Sequence, residues 1–194
     1  MSARSFAGLI AVLLSVAGCE PKGPDQLQQT YWKIGDFALT ERSEKTVTIA
    51  DLKGKVWVAD FFYSTCPGPC PMLSSRLSEV QKAVGSDDRV RLVSISTDPE
   101  KDTPAVLRQY AERFHASDRW LFLTGSKETI RDLALKGFKL PFAETPDSPE
   151  PVIHSTRLIL IDQTGTIRGL YEGTDPEGPK RLIRDLRRLL ETKP

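Results

Sequence analysis

Two thiols, Cys66 and Cys70, lie in the run Cys66-Pro67-Gly68-Pro69-Cys70-Pro71, directly after the apolar stretch Val56 to Phe62. A deprotonated cysteine is both a nucleophile and a metal ligand, and the N-terminus of a helix lowers a thiol's pKa. Set where a buried strand should turn into a helix, the pair can exchange disulfides or grip a soft metal. A metal site would need one further partner, and the chain has only two histidines. One of them, His154, precedes a strand-like run, Thr156 to Ile161. The other, His115, falls at the end of a predicted helix, away from the thiols.

The elements that must position these groups follow from periodicity. Thr46 to Ile49 alternates like a short strand, and Lys53-Gly54-Lys55 turns into Val56 to Tyr63. That run is apolar on both faces except at Asp60, as expected of a central strand covered by helices. Met72 to Val84 carries Leu73, Leu77, Val80 and Val84 at helical spacing, with Gly85 as a stop. Val90 to Ser96 is a second buried strand. Thr103-Pro104 opens a helix, because proline's missing N–H has no partner at the first position. Trp120 to Leu123 predicts a short strand and Lys127 to Lys136 a helix. Pro141 to Pro151, with four prolines in eleven residues, predicts an irregular loop. Ile153 to Ile161 and Ile167 to Tyr171 pair as a hairpin across Asp162-Gln163-Thr164-Gly165. Pro179 to Glu191 ends the order as an amphipathic helix whose Arg184, Arg187 and Arg188 form a solvated face. Such an order describes an α/β sandwich around a mixed sheet, with the reactive loop at the carboxyl end of a central strand.

The start of the chain is read as an export signal. Arg4 precedes the apolar run Phe6 to Val16, too short to span a bilayer, which needs about 20 apolar residues. Val16-Ala17-Gly18-Cys19 resembles the lipobox of bacterial lipoproteins, which implies cleavage before Cys19 and lipid on its thiol. Residues 1–18 are then a signal peptide and 19–30 a flexible tether rich in Pro, Gly and Gln. The tether could hold a domain up to ~36 Å from the membrane. Residues 31–194 remain as one domain, with enough chain to bury a core. The whole chain has 27 basic and 26 acidic residues. Losing Arg4 with the signal balances the two, so nothing calls for nucleic acid as a partner. With Cys19 lipidated, Cys66 and Cys70 are an isolated pair in an oxidising compartment, the periplasm or cell exterior. So small a loop makes a structural disulfide a poor reading of them.

Three motifs together resemble the Sco/SenC family of thioredoxin-like proteins. They are Phe61-Phe62-Tyr63-Ser64-Thr65-Cys66-Pro67-Gly68-Pro69-Cys70-Pro71, then Ser94-Ile95-Ser96-Thr97-Asp98-Pro99-Glu100-Lys101-Asp102-Thr103-Pro104, and His154-Ser155-Thr156 leading into Leu158 to Asp162. The resemblance covers most of residues 31–191. It implies a thioredoxin-like fold, a mixed central sheet flanked by helices with an N-terminal β-hairpin extension. It also implies copper delivery to the binuclear copper site of cytochrome c oxidase subunit II or another acceptor. A thiol reductant or copper donor would be a second partner, and the lipid anchor would supply contact with the membrane.

The chemistry of the residues agrees. On a helix, positions four apart share a face with Cβ atoms about 5–6 Å apart, which suits two sulfurs on one metal. Two sulfurs and the imidazole of His154 favour Cu(I) and would accept Cu(II) with an oxygen ligand, whereas zinc wants a fourth ligand. His154 stands two residues before the position at which thioredoxins carry the cis-proline that faces their cysteines. Asp98 is a candidate to accept a hydrogen bond near the site or to meet a partner. Asp102 is expected to cap the helix that starts near Pro104, and Met72 to be core. The alternative function is a thiol–disulfide reductase that keeps acceptor cysteines reduced, using Cys66 and Cys70 as a redox pair without His154. A peroxidase fits poorly, because Phe62-Tyr63-Ser64-Thr65 lacks the Pro-x-x-x-Thr-x-x-Cys arrangement of peroxidatic thiols.

Overall fold

The computed structural model describes residues 27, 29–140 and 155–192. The central strand is β3 (Val56–Phe62), buried at every position. It pairs in parallel with β4 (Val90–Ser96), which pairs in parallel with β5 (Trp120–Thr124). On its other side β3 pairs antiparallel with β6 (Arg157–Ile161), which continues into β7 (Ile167–Glu172). An N-terminal hairpin, β1 (Ala38–Glu41) and β2 (Thr46–Thr48), adds to the edge through β5. The seven strands run β2-β1-β5-β4-β3-β6-β7. This is the mixed sheet with a hairpin extension that the sequence implies.

Alternation along β3 divides the core in two. Trp57, Ala59 and Phe61 join a cluster with Ile34, Phe37, Ile130, Ala134 and Phe138. Val58 and Phe62 point the other way. They pack under α2 (Pro69–Val84), α3 (Pro104–Arg113) and α5 (Gly178–Glu191), through residues such as Leu73, Leu77, Leu107, Tyr110, Leu182 and Leu186. A short helix, α1 (Ile49–Leu52), follows β2, and α4 (Lys127–Asp132) lies on the first face. Gly178 opens α5 hard against β7: a Cβ there would lie 1.9 Å from the carbonyl oxygen of Glu172.

Two elements differ from the sequence reading. The helix expected from Met72 begins at Pro69, so Cys70 is its second residue. Prolines 69 and 71 read as loop residues, yet the first N–H groups of a helix have no internal acceptor, and proline costs nothing there. The helix expected over 127–136 is α-helical only to Asp132 and passes into a π-helical turn, Leu133–Gly137. Trp32 Nε1 donates to the Gly137 carbonyl at 2.7 Å and holds that turn. The loop expected over 141–151 lies outside the described residues, as does the start of the strand expected from Ile153.

Candidate functional site

Both parallel crossovers leave their strands at the same end of the sheet. Residues 63–68 connect β3 to α2, and residues 97–103 connect β4 to α3. The antiparallel register of β6 on β3, with Ala59 opposite Ile159, brings the start of β6 to that end too. Ser155 and Thr156 therefore approach β6 from the side where β3 releases the reactive loop. His154 lies outside the described residues, and so does Cys19.

Cys66 and Cys70 are free thiols, and both are buried. They are not on one helical face. Gly68 is the N-cap of α2, so Cys66 stands outside the helix in a turn closed by its own N–H on the Tyr63 carbonyl at 3.2 Å. Burial pushes the Cys66 thiol up, but the Cys70 side chain and the N–H groups of Cys70 and Gly68 beside its sulfur outweigh that. The net effect is a pKa below that of an ordinary thiol. Cys70 is driven far up, first by burial and then by its donation to Cys66, with the charges of Cys66 and Asp60 adding to it. Cys66 is therefore the more acidic thiol of the pair, and Cys70 the one that holds its proton more tightly.

Beneath the sulfurs lies a buried carboxyl. Asp60 is wholly inaccessible and shares the β3 face of Val58 and Phe62. Its Oδ1 accepts from Ser94 Oγ at 2.5 Å, and Ser94 Oγ accepts from Trp120 Nε1 at 2.9 Å. Burial raises the Asp60 pKa to about 7, against the lowering effect of Ser94. Tyr110, whose hydroxyl pairs with Ser74 Oγ at 3.0 Å, is also pushed up, by burial and then by Asp60 and Cys70.

The loop after β4 behaves differently from the sequence reading. Thr103, not Asp102, caps α3, accepting from the Val106 N–H at 3.4 Å. Asp102 instead takes hydrogen bonds from Ser64 and Ser96. Asp98 is nearly buried. Its N–H donates to Ser96 Oγ at 3.1 Å, and its carboxylate lies 3.0 Å from Lys101 Nζ. Met72 is not core: it is 38% exposed, on the surface of the first turn of α2. His115 follows the end of α3, where its carbonyl accepts from Gln81 Nε2 at 3.0 Å. Gln81 is eleven residues along α2 from Cys70, about 16 Å at the helical rise. His115 is thereby excluded from the sulfur pair. Sequence reasoning missed Ser64, in the reactive loop, and Ser96, at the end of β4, as the partners of Asp102. The signal was available in the cluster Ser94, Ser96, Thr97 and Asp98, polar residues at the end of an otherwise apolar strand.

No group of three or more His, Cys, Asp or Glu side chains that could hold a metal occurs among the described residues. Two neighbouring buried sulfurs, in a stretch without charge from Ser64 to Ser75, fit a soft monovalent ion better than a hard one.

A mixed sheet between helices, with a reactive dithiol where a central strand meets a helix, defines a thioredoxin-like domain. The chain belongs to the SCO1/SenC family, whose model matches residues 25–191. It is similar to a SCO1/SenC family lipoprotein from Bacillus anthracis, with a TM-score of 0.77 and 32% identity over 84% of this chain and 99% of that one. It is similar also to BsSco, described as a member of the Sco family of cytochrome c oxidase assembly proteins with a disulfide switch. There the TM-score is 0.73 and the identity 32%, over 84% of this chain and 95% of that one. A third structure, ScoI of Bradyrhizobium japonicum with copper bound, has a TM-score of 0.68 and 30% identity over 81% of this chain and 99% of that one. Among the described residues, no helix is long and apolar enough to cross a membrane.

Proposed function

We propose that this protein is a copper carrier in which Cys66, Cys70 and His154 hold one copper ion as cargo. The observation that carries the reading is a pair of free, buried thiols of unlike acidity where β3 gives way to α2, in a chain of this family. Copper would displace the thiol protons, so that both sulfurs bind as thiolates. The entry of β6 at the same sheet end supports His154 as the third ligand. Three ligands leave one approach open, and an acceptor sulfur or imidazole can then displace them one at a time. The copper seen in the Bradyrhizobium relative supports the cargo, and the oxidase-assembly description of BsSco supports an acceptor in cytochrome c oxidase. The binuclear copper site of subunit II is the acceptor proposed. Residues 1–18 would be a signal peptide, Cys19 the lipid attachment site and 19–30 the tether. Residues 31–194 would then form the domain, on the outer side of a membrane. The lipoprotein relative supports that anchor. Anaerobic titration of the reduced domain tests the reading: one Cu(I) per chain is expected, with much weaker binding in His154→Ala. Equal affinity in that variant removes His154 from the site.

A second reading rests on the same asymmetry. The Cys66 thiolate would attack an acceptor disulfide, forming a mixed disulfide and releasing one acceptor thiolate. Cys70, losing its proton, would then attack the Cys66 sulfur and release the other. The acceptor ends as a dithiol and this protein as a Cys66–Cys70 disulfide, to be restored by a thiol reductant that supplies two electrons. The disulfide switch described for BsSco supports it. A Cys66→Ser variant that still leaves the acceptor fully reduced would count against it.

A further inference from the structure

The loop after β4 carries the motif Asp98-Pro99-Glu100-Lys101-Asp102-Thr103-Pro104, and the helix it introduces is capped without either aspartate. Asp102 is entirely buried. Its Oδ2 accepts from the Ser64 N–H at 3.1 Å and from Ser96 Oγ at 2.5 Å, and its Oδ1 accepts from the Ser64 hydroxyl. All of these donors are neutral. Its two oxygens thus meet three donors from two other segments of the chain. An amide of the same shape would turn its NH2 on at least one of them.

The same loop holds the strand end on either side of that contact. The Thr97 N–H donates to the Phe62 carbonyl at 2.8 Å, and the Asp102 N–H to the Asp98 carbonyl at 2.8 Å. The last residue of β3 and the second residue beyond it are both gripped by residues 97–102. Between and after them runs the turn from Tyr63 to Cys66, closed by the Cys66 N–H on the Tyr63 carbonyl, which delivers the Cys66 sulfur to the first turn of α2.

We propose that Asp102 is a positioning residue for the dithiol: by holding Ser64 from the neighbouring loop, it fixes the turn that sets Cys66 against the first turn of α2, where Cys70 lies. The inference rests on Cys66 and Cys70 being the working groups, and it gives the aspartate motif the task of a clamp rather than of a cap. Asp102→Asn loosens Ser64, the turn no longer holds Cys66 in its reduced geometry, and the reduced form is stabilised less against the disulfide. Asp102→Glu, an acceptor of the wrong length, does not restore it. Ser64→Ala removes one donor to the carboxylate and shifts the dithiol in the same direction by less. Ser96→Ala removes a donor from the far side and leaves Ser64 held.

The test is the equilibrium of the copper-free protein with a glutathione redox buffer, read by alkylation and mass, beside a melting curve for each variant. Asp102→Asn is expected to raise the equilibrium constant for Cys66–Cys70 disulfide formation about tenfold, the scale of one or two lost buried hydrogen bonds. Ser64→Ala should raise it about threefold, and Ser96→Ala should lower the melting temperature while leaving the constant at the parent's value. An unchanged constant in Asp102→Asn and Ser64→Ala, or an equal shift in Ser96→Ala, would overturn the proposal. If Asp102→Asn does not fold, the contrast between Ser64→Ala and Ser96→Ala decides alone. Because no copper is present, failure of the parent to bind Cu(I) would sink the copper reading and leave this result standing.

Discussion

The two faces of β3 are built to different rules. On one, Trp57, Ala59 and Phe61 join an apolar cluster, with Phe138 edge-on to both aromatic rings. On the other, Val58 and Phe62 flank Asp60, a carboxyl with no access to water, below α2 and the sulfur pair. The first face is packed for stability. The second gives some of that up to bury an ionisable group beside the cysteines. Chemistry in this fold is bought with buried polarity on one side of a single strand.

The comparison breaks most sharply at its two extremes. Cys66→Ser is expected to abolish tight Cu(I) binding, a loss of at least about 100-fold by analogy with other ligand losses, with little change in melting temperature. Phe61→Ala, on the opposite face, should do the reverse. It should cost about 3–5 kcal/mol of stability and leave one Cu(I) per folded chain, as measured by urea unfolding and by metal analysis.

Asp60 tests the middle of the comparison through pH. Its folded pKa, about 7, lies above the ordinary carboxylate value of 3.8, so the folded chain holds a proton that the unfolded chain releases. Unfolding free energy therefore falls as pH rises from about 4 to about 7 and levels off above that, by a few kcal/mol in order of magnitude. In Asp60→Asn that decline should vanish. Urea unfolding at a series of pH values reads it, and a parent and variant with the same slope would mean that Asp60 is ionised throughout.

A smaller effect is expected at the thiols. Removing the Cys70 S–H takes a donor from the Cys66 sulfur, so in Cys70→Ala the pH profile of Cys66 alkylation should move upward. A profile that stays in place would mean that Cys70 does not donate. The smallest effect belongs to Met72→Ala, which should change stability by no more than about 0.5 kcal/mol, because the side chain is exposed.

Much of this was legible in the residues themselves. The apolar run of β3 with its single carboxyl, the glycine stop of α2 at Gly85 and the Thr103-Pro104 start of α3 carry their structure locally. The start of α2 did not, because prolines at 69 and 71 signal a loop unless one counts the donors a helix start leaves unused. The one-face geometry expected of Cys66 and Cys70 failed for the same reason: the N-cap falls between them. Asp102 was misread as a cap because its partners, Ser64 and Ser96, come from other segments of the chain. Only tertiary pairing brings them together.

The central claim is tested most directly by the X-ray absorption spectrum of copper in the reduced, Cu(I)-loaded protein and in its His154→Ala variant. Two sulfur neighbours and one imidazole nitrogen are expected in the parent, with the imidazole signal gone from the variant. Identical spectra from the two proteins would contradict the account.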